Sequence, residues 1–165
     1  DPDRRRSTTG YCCLFYGGPG STKSKLQPVI ADSSTAAELI AISAASKEAR
    51  WLSWLIKDFG CSPNYTIAQQ NPKLPLDPVV IYEDNNGVRA IAKDKKVSKR
   101  CKHIAVKYFL IQEMVAEHTC IVIRCDTNKN LADIFTKALP PQKHIEMASY
   151  FFTGTSPIDV SAQIK

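Results

Sequence analysis

The stretch "VVIYED", Val79 to Asp84, sets four residues without charge between a proline-rich segment and two adjacent acids. An apolar strand this short offers no polar side to water. It is therefore buried on both faces, as happens in a parallel sheet covered by helices. Such a strand needs a partner and helices to cover it. "TCIVIRCD", Thr119 to Asp126, is a second strand of the same character, and "NLADIFTKAL", Asn130 to Leu139, reads as a helix stopped by Pro140-Pro141.

Upstream, "TTGYCCLFYGG" reads as a strand closing on Gly17, Gly18, Pro19 and Gly20. Residues 21–31 then form the return arm of a hairpin, where Pro28 lacks an amide donor and favours an edge or a bulge. Ser33, Ser34 and Thr35 offer hydroxyl caps to a long helix ending near Phe59, and Gly60 sits where a C-terminal cap belongs. Ala41, Ala45, Leu52, Leu55, Ile56 and Phe59 recur along it at three- and four-residue spacing, a stripe expected to face the core. Residues 61–78 hold four prolines and read as an extended loop. Asn85 or Asn86 caps a short helix to about Lys93, and another helix runs from about Lys102 to Glu117 with Ile104, Phe109, Ile111, Met114 and Val115 apolar. No clear element follows Pro141. The order predicts an α/β fold with a mixed sheet, an antiparallel hairpin at one side and helices against it.

At 165 residues the chain suits one domain with a sizeable core, taken here as residues 1–139 followed by a C-terminal tail, 140–165. Its 44% hydrophobic and 23% charged residues argue against a disordered, collagenous or coiled-coil chain. Six cysteines without a C-x-x-C pair suit reduced thiols in an intracellular protein better than a disulfide framework or a zinc site. No apolar run reaches the roughly eighteen residues needed to cross a bilayer, so no membrane partner is expected. The opening "DPDRRRSTTGY" has no initiator Met and reads as part of something longer. Net charge is +6, and Lys93, Lys95, Lys96, Lys99, Arg100, Lys102 and Lys107 fall within fifteen residues. Such clustering suits a polyanion, and a solvated surface accounts for it as well.

Glu38 lies early in the long helix, Asp84 ends the apolar strand and Asp133 sits inside an otherwise apolar segment. Helices packed on the sheet near that strand end would bring the three carboxylates together. Gathered carboxylates repel unless a divalent cation neutralises them, and Mg²⁺ prefers such oxygen ligands. Two such ions about 3.5–4 Å apart support metal-assisted phosphodiester hydrolysis. Each acid also has a plainer use. Thr35 and Glu38 fit a capping box, Asp84 fits a helix cap, and Asp133 fits a solvated helix position.

"DRRRSTTGY", "TKSKLQPVIADSSTAAELIA", "YEDNNGVRAIA", "KRCKHIAVKYFLIQE" and "NLADIFTKAL" occur in this order over residues 3 to about 139. Together they resemble the ribonuclease H domain that follows the reverse transcriptase in Ty1/copia-type retrotransposon Pol polyproteins. The resemblance implies a five-stranded mixed sheet flanked by helices and cleavage of the RNA strand of an RNA–DNA hybrid with two Mg²⁺ ions, Mn²⁺ being a substitute. Glu38, Asp84 and Asp133 would be the catalytic metal ligands. Ser34, Asn85, Lys99, Arg100, Lys102 and His103 are candidate nucleic-acid contacts, with a packed or solvated role open for Lys102 and His103. The partners implied are the hybrid and a covalently linked reverse transcriptase region, in a cytoplasmic particle or the nucleus.

The chain departs from the family pattern in three places. A fourth carboxylate ends the family's first strand, just upstream of the segment matching "DPDRRRSTTGY", and neither Asp1 nor Asp3 is a good substitute. That strand lies between the hairpin and the strand bearing Asp84, so the sheet is expected to be truncated and catalysis to need an upstream Asp-bearing strand. A non-catalytic nucleic-acid-binding module with the same fold is the alternative. Ala36 stands where the family usually has Glu, a mild change, and Thr22 where it usually has Trp, which loosens the hairpin's packing.

Overall fold

The computed structural model describes residues 6–15, 18–61, 78–88 and 105–153. It is a mixed α/β protein. β1 (Thr8–Phe15) and β2 (Gly18–Leu26) form the antiparallel hairpin, with a bulge between Cys13 and Leu14. α1 (Ser34–Asp58) follows, then β3 (Val79–Glu83), α2 (Ala105–Ala116) and β4 (Cys120–Arg124). Two short 3-10 turns, Thr127–Lys129 and Leu131–Phe135, lead into α3 (Pro141–Thr153).

β3 and β4 pair in parallel, Ile81 opposite Val122, as their shared apolar character demands. The expected single mixed sheet is not formed among the described residues. Instead β1–β2 and β3–β4 are separate two-stranded sheets, and both rest on α1. The alanine-rich first half of α1 allows this close approach, burying Ala36, Leu39, Ile40 and Ile42 against Ile81, Tyr108, Ile111 and Met114.

α1 starts at Ser33, whose side chain accepts the Ala36 amide at 3.1 Å. It ends at Gly60, with φ 75°, where Gly60 N donates to Lys57 O at 2.8 Å and Cys61 N to Ile56 O at 3.0 Å. That pair of bonds is the Schellman closure expected of a glycine in this position. The second half of α1 departs from expectation. Leu52 is buried there, but Trp51, Trp54, Leu55 and Phe59 lie on the surface, because the helix runs on past the sheets that cover its first half. Arg50 shields part of this stripe by lying 4.8 Å from the centre of the Trp54 ring.

Polar ties hold the hairpin to its neighbours. The buried Gln27 side chain donates to Ala37 O at 2.8 Å and to Thr9 Oγ1 at 3.2 Å, pinning both strands' ends to α1. Ser21 Oγ donates to Glu48 Oε1 at 2.8 Å, and Ser24 Oγ to the Phe135 carbonyl at 2.7 Å.

Two further expectations are corrected. "NLADIFTKAL" is not an α-helix, because Asn130 caps a single 3-10 turn by accepting the Ala132 amide at 3.1 Å, and the turn closes at Thr136. Pro141 does not terminate structure but begins α3, a first-turn position where its missing N–H costs nothing. α3 packs on β2 and the second 3-10 turn through an edge-on contact of Phe151 with Phe135, ring centres 5.7 Å apart.

Between β2 and α3 runs an apolar groove of about 400 Å³, edged by Thr22 and lined by Ile134, Phe135, Phe151 and Phe152. Thr22→Trp is expected to fill it and raise the thermal midpoint by about 3–6 °C, since a buried indole contributes one to two kcal/mol. A differential scanning measurement showing an unchanged or lower midpoint would refute the assignment of this groove as a packing defect.

Candidate functional site

β3 alternates, so Ile81 and Glu83 point inward from the same side of the strand and Asp84 emerges past its end. Asn85 turns the chain. Its Oδ1 accepts the amides of Gly87 at 2.7 Å and Val88 at 3.2 Å, capping the helical residues 86–88. The cap role thus falls to Asn85 and not to Asp84. With Oδ1 so occupied, the side-chain NH₂ of Asn85 is left for the Glu38 carboxyl. A Cβ at Gly87 would stand 2.9 Å from Asn85 Oδ1 and 3.1 Å from Thr35 Oγ1, so glycine here leaves the Asn85 cap and the start of α1 uncrowded.

Because Ser33 is the cap, Glu38 lies past the first turn of α1 and is not part of a capping box with Thr35. Its Oε2 is buried without a hydrogen-bond partner. Burial first, then the charges of Asp84 and Asp133, push the Glu38 carboxyl above the usual range, while Asn85 and Lys137 act the other way.

Asp133 is buried in the second 3-10 turn, 5% exposed, which excludes a solvated role. Gly10 of β1 lets that turn come close, because a Cβ there would overlap the Thr136 methyl and crowd Phe135 and the Ala132 carbonyl. Asp133 Oδ1 accepts from Lys137 Nζ at 2.8 Å.

Two participants escaped the sequence reading. Glu83 is 9% exposed, and its Oε1 accepts the Asn85 amide at 3.0 Å. Burial, with repulsion from Glu38 and Asp84, pushes its carboxyl up to about 7 against the pull of that amide. Strand alternation was the available signal, since it puts Glu83 in phase with Ile81. Lys137 was signalled only by its place four residues after Asp133. Asp84, Asp133 and Glu83, together with Asp126, also act on Cys125, whose thiol is pushed up to about 11 by burial first and then by these charges.

Glu38, Asp84 and Asp133 therefore come from a helix, a strand end and a turn into one electrostatic neighbourhood. Their donors are all carboxylate oxygens, and the unpartnered Oε2 of Glu38 is an acceptor lacking a charge to satisfy it, which fits a hard divalent cation. As the side chains stand, no group of three among the described residues is close enough to hold one metal ion. Ser34 is exposed at the first turn of α1, near this site in sequence but outside its buried part. Lys99, Arg100, Lys102 and His103 lie outside the described residues.

The sequence is 36% identical over 143 residues to the retrovirus-related Pol polyprotein from transposon TNT 1-94 of Nicotiana tabacum, covering 87% of this chain and 10% of that protein. It is 32% identical over 139 residues to the corresponding polyproteins from transposons RE2 and RE1 of Arabidopsis thaliana, covering 84% of this chain and 9% of each. The chain spans about a tenth of the length of these curated relatives. No protein-family model matches it, and no solved structure does. Among the described residues no helix is long and apolar enough to cross a membrane.

Proposed function

We propose, from the premise that the chain belongs with the retrovirus-related Pol polyproteins of Ty1/copia-type transposons, that it is a ribonuclease H-type segment hydrolysing the RNA strand of RNA–DNA hybrids. What supports this reading is that the charges of Asp84 and Asp133, on two other elements, act on Glu38, one oxygen of which is buried and unpartnered. The separation of β1–β2 from β3–β4 supports it too. A ribonuclease H-like sheet has a strand between these two pairs, and that strand brings a fourth carboxylate to the same end.

In this reading Glu38, Asp84 and Asp133 hold Mg²⁺ or Mn²⁺. When bound, such an ion makes a water nucleophilic and offsets charge on the phosphodiester. The chain's own groups hold the site ready for it. Asn85 orients Glu38 through its amide while fixing the turn after β3. Lys137 balances the buried Asp133. Glu83, pushed up to about 7, carries a proton part of the time at neutral pH and so adds less repulsion than its neighbours. The basic run from Lys93 to Lys107 suits the phosphate backbone of the hybrid. The hybrid would be met inside the cell, in the company of a linked reverse transcriptase region.

The test is a cleavage assay on a labelled RNA–DNA hybrid, with the chain expressed behind the segment that precedes the matched region in the tobacco relative. RNA-strand cleavage is expected with Mg²⁺, lost by roughly a hundredfold or more in EDTA and restored on adding Mg²⁺ back. A folded fusion that binds the hybrid and leaves it uncut under all these conditions would leave the binding-module alternative standing.

A further inference from the structure

The second half of α1 leaves one face uncovered. Trp51, Trp54 and Phe59 each have more than half of their surface in water, and Leu55 is exposed beside them. At 3.6 residues per turn these four positions fall within about 140° of one another round the helix, so they form one apolar stripe and not scattered residues. Contiguous apolar surface of this kind marks a contact site more often than an idle face. Lys47 and Asp58 close the stripe at its two ends. They are eleven residues apart, about three turns, so both stand on the face that carries the tryptophans. Both are exposed, and neither is in an ion pair among the described residues. Each tryptophan stands four residues in from its end, Trp51 from Lys47 and Trp54 from Asp58. The stripe therefore matches a copy of itself turned end for end, with opposite charges meeting at both ends.

We propose that this face is the contact of a two-fold dimer, in which the second halves of two α1 helices pack antiparallel, Trp51 against the partner's Trp54 and Lys47 against the partner's Asp58. Such a contact is isologous, each pair occurring twice. The tryptophans supply the apolar area at its centre, and the end charges fix the direction and register of the helices. The charge order favours a second copy over an unrelated protein. Nucleic acid is a poorer match, because Lys47, Arg50 and Lys57 are nearly balanced along this half by Glu48 and Asp58, leaving little net attraction for phosphate. The two copies of Glu38 would lie on the order of 40 Å apart along the helices, so neither protomer covers the other's candidate site. One helix face is small for a stable interface, and dissociation at about 10–100 μM is expected.

The measurement is sedimentation equilibrium on the 165-residue chain over roughly 5–500 μM, with circular dichroism to check that each variant keeps the wild-type helix content. Wild type is expected to pass from monomer to dimer across this range. Trp51→Gln combined with Trp54→Gln should weaken association about tenfold or more. Lys47→Asp, which sets like charges opposite each other twice, should weaken it by about three- to tenfold. Adding Asp58→Lys to Lys47→Asp should restore the dimer, because the exchange rebuilds both pairs only when the helices run antiparallel. Should the tryptophan pair unfold the chain, the two charge variants at exposed positions decide alone. A wild-type chain that stays monomeric overturns the proposal, and quenching of its tryptophan fluorescence by a single-stranded oligonucleotide would then assign the stripe to nucleic acid. A dimer unmoved by the tryptophan pair overturns it in favour of association through a strand edge. A double charge variant no tighter than Lys47→Asp alone overturns it as well.

Discussion

Asp84→Asn is expected to slow RNA-strand cleavage by about a thousandfold or more, equivalent to about 4 kcal/mol of transition-state stabilisation. The same change should leave the fold intact or make it more stable. Asp84 takes no part in capping the turn after β3, a task performed by Asn85, so the amide breaks no described hydrogen bond. It does remove one charge from a neighbourhood in which Glu38 and Glu83 are both pushed up by Asp84. Loss of activity with a gain in metal-free stability distinguishes a functional carboxylate from a structural one. Cleavage rate and thermal midpoint measured on one preparation decide the matter. A variant that cuts at the wild-type rate, or that loses activity only in proportion to lost folding, removes Asp84 from the site.

Glu83→Gln is expected to have the largest effect on stability, and the effect depends on pH. An ordinary Glu titrates near 4.3 in the unfolded chain, whereas burial and the charges beside it push Glu83 up to about 7 in the fold. The folded state therefore holds this proton more tightly than the unfolded state does. Below about pH 4 both states are protonated and the group costs nothing; as pH rises through the interval up to about 7 the unfolded chain ionises first and stability falls. Above that interval the loss levels off at about 3 kcal/mol. Gln keeps an oxygen for the Asn85 amide and has no charge to bury. At pH 8 the variant should be more stable by about 2–3 kcal/mol, or roughly 5–10 °C in midpoint, with the difference vanishing toward pH 4. Urea titrations at several pH values give the difference curve. A wild-type minus variant difference that is flat from pH 4 to 8 would show that Glu83 ionises normally.

Where periodicity was strong, the sequence was a good guide to the fold. The short, mostly apolar runs Val79–Glu83 and Cys120–Arg124 pointed to a parallel pair, which they form, although β3 turns out to be buried mainly on one side, and Ser33 and Gly60 marked both ends of α1. α3 was missed because Pro140-Pro141 reads as a stop, whereas Pro141 is the first residue of the helix, a position that tolerates its missing N–H. The turn bearing Asp133 looked helical because "LADIF" has helical spacing, and only the Asn130 cap and the closure at Thr136 restrict it to a 3-10 turn. The apolar residues late in α1 suggested burial by pattern alone, yet pattern cannot say where the covering sheet stops. The separation of the two strand pairs could not be read from the strands' own residues; only the resemblance, which places a further strand between the hairpin and the strand bearing Asp84, pointed to an interrupted sheet.

Of the candidate site, Glu38, Asp84 and Asp133 could be picked out because acids in apolar company need a reason. Glu83 was overlooked beside the more prominent Asp84, though the phase of the strand points it inward. Lys137 has only its i,i+4 spacing from Asp133 to mark it in the sequence, a spacing that exposed surface pairs share.

The support of two unjoined sheets by α1 has a mechanical consequence. Asp84 moves with β3, Asp133 with the turn seated on β1, and Glu38 with the helix beneath both. The spacing of the three acids is therefore set by how β3 and the β1-bound turn each seat on, or beside, this one helix.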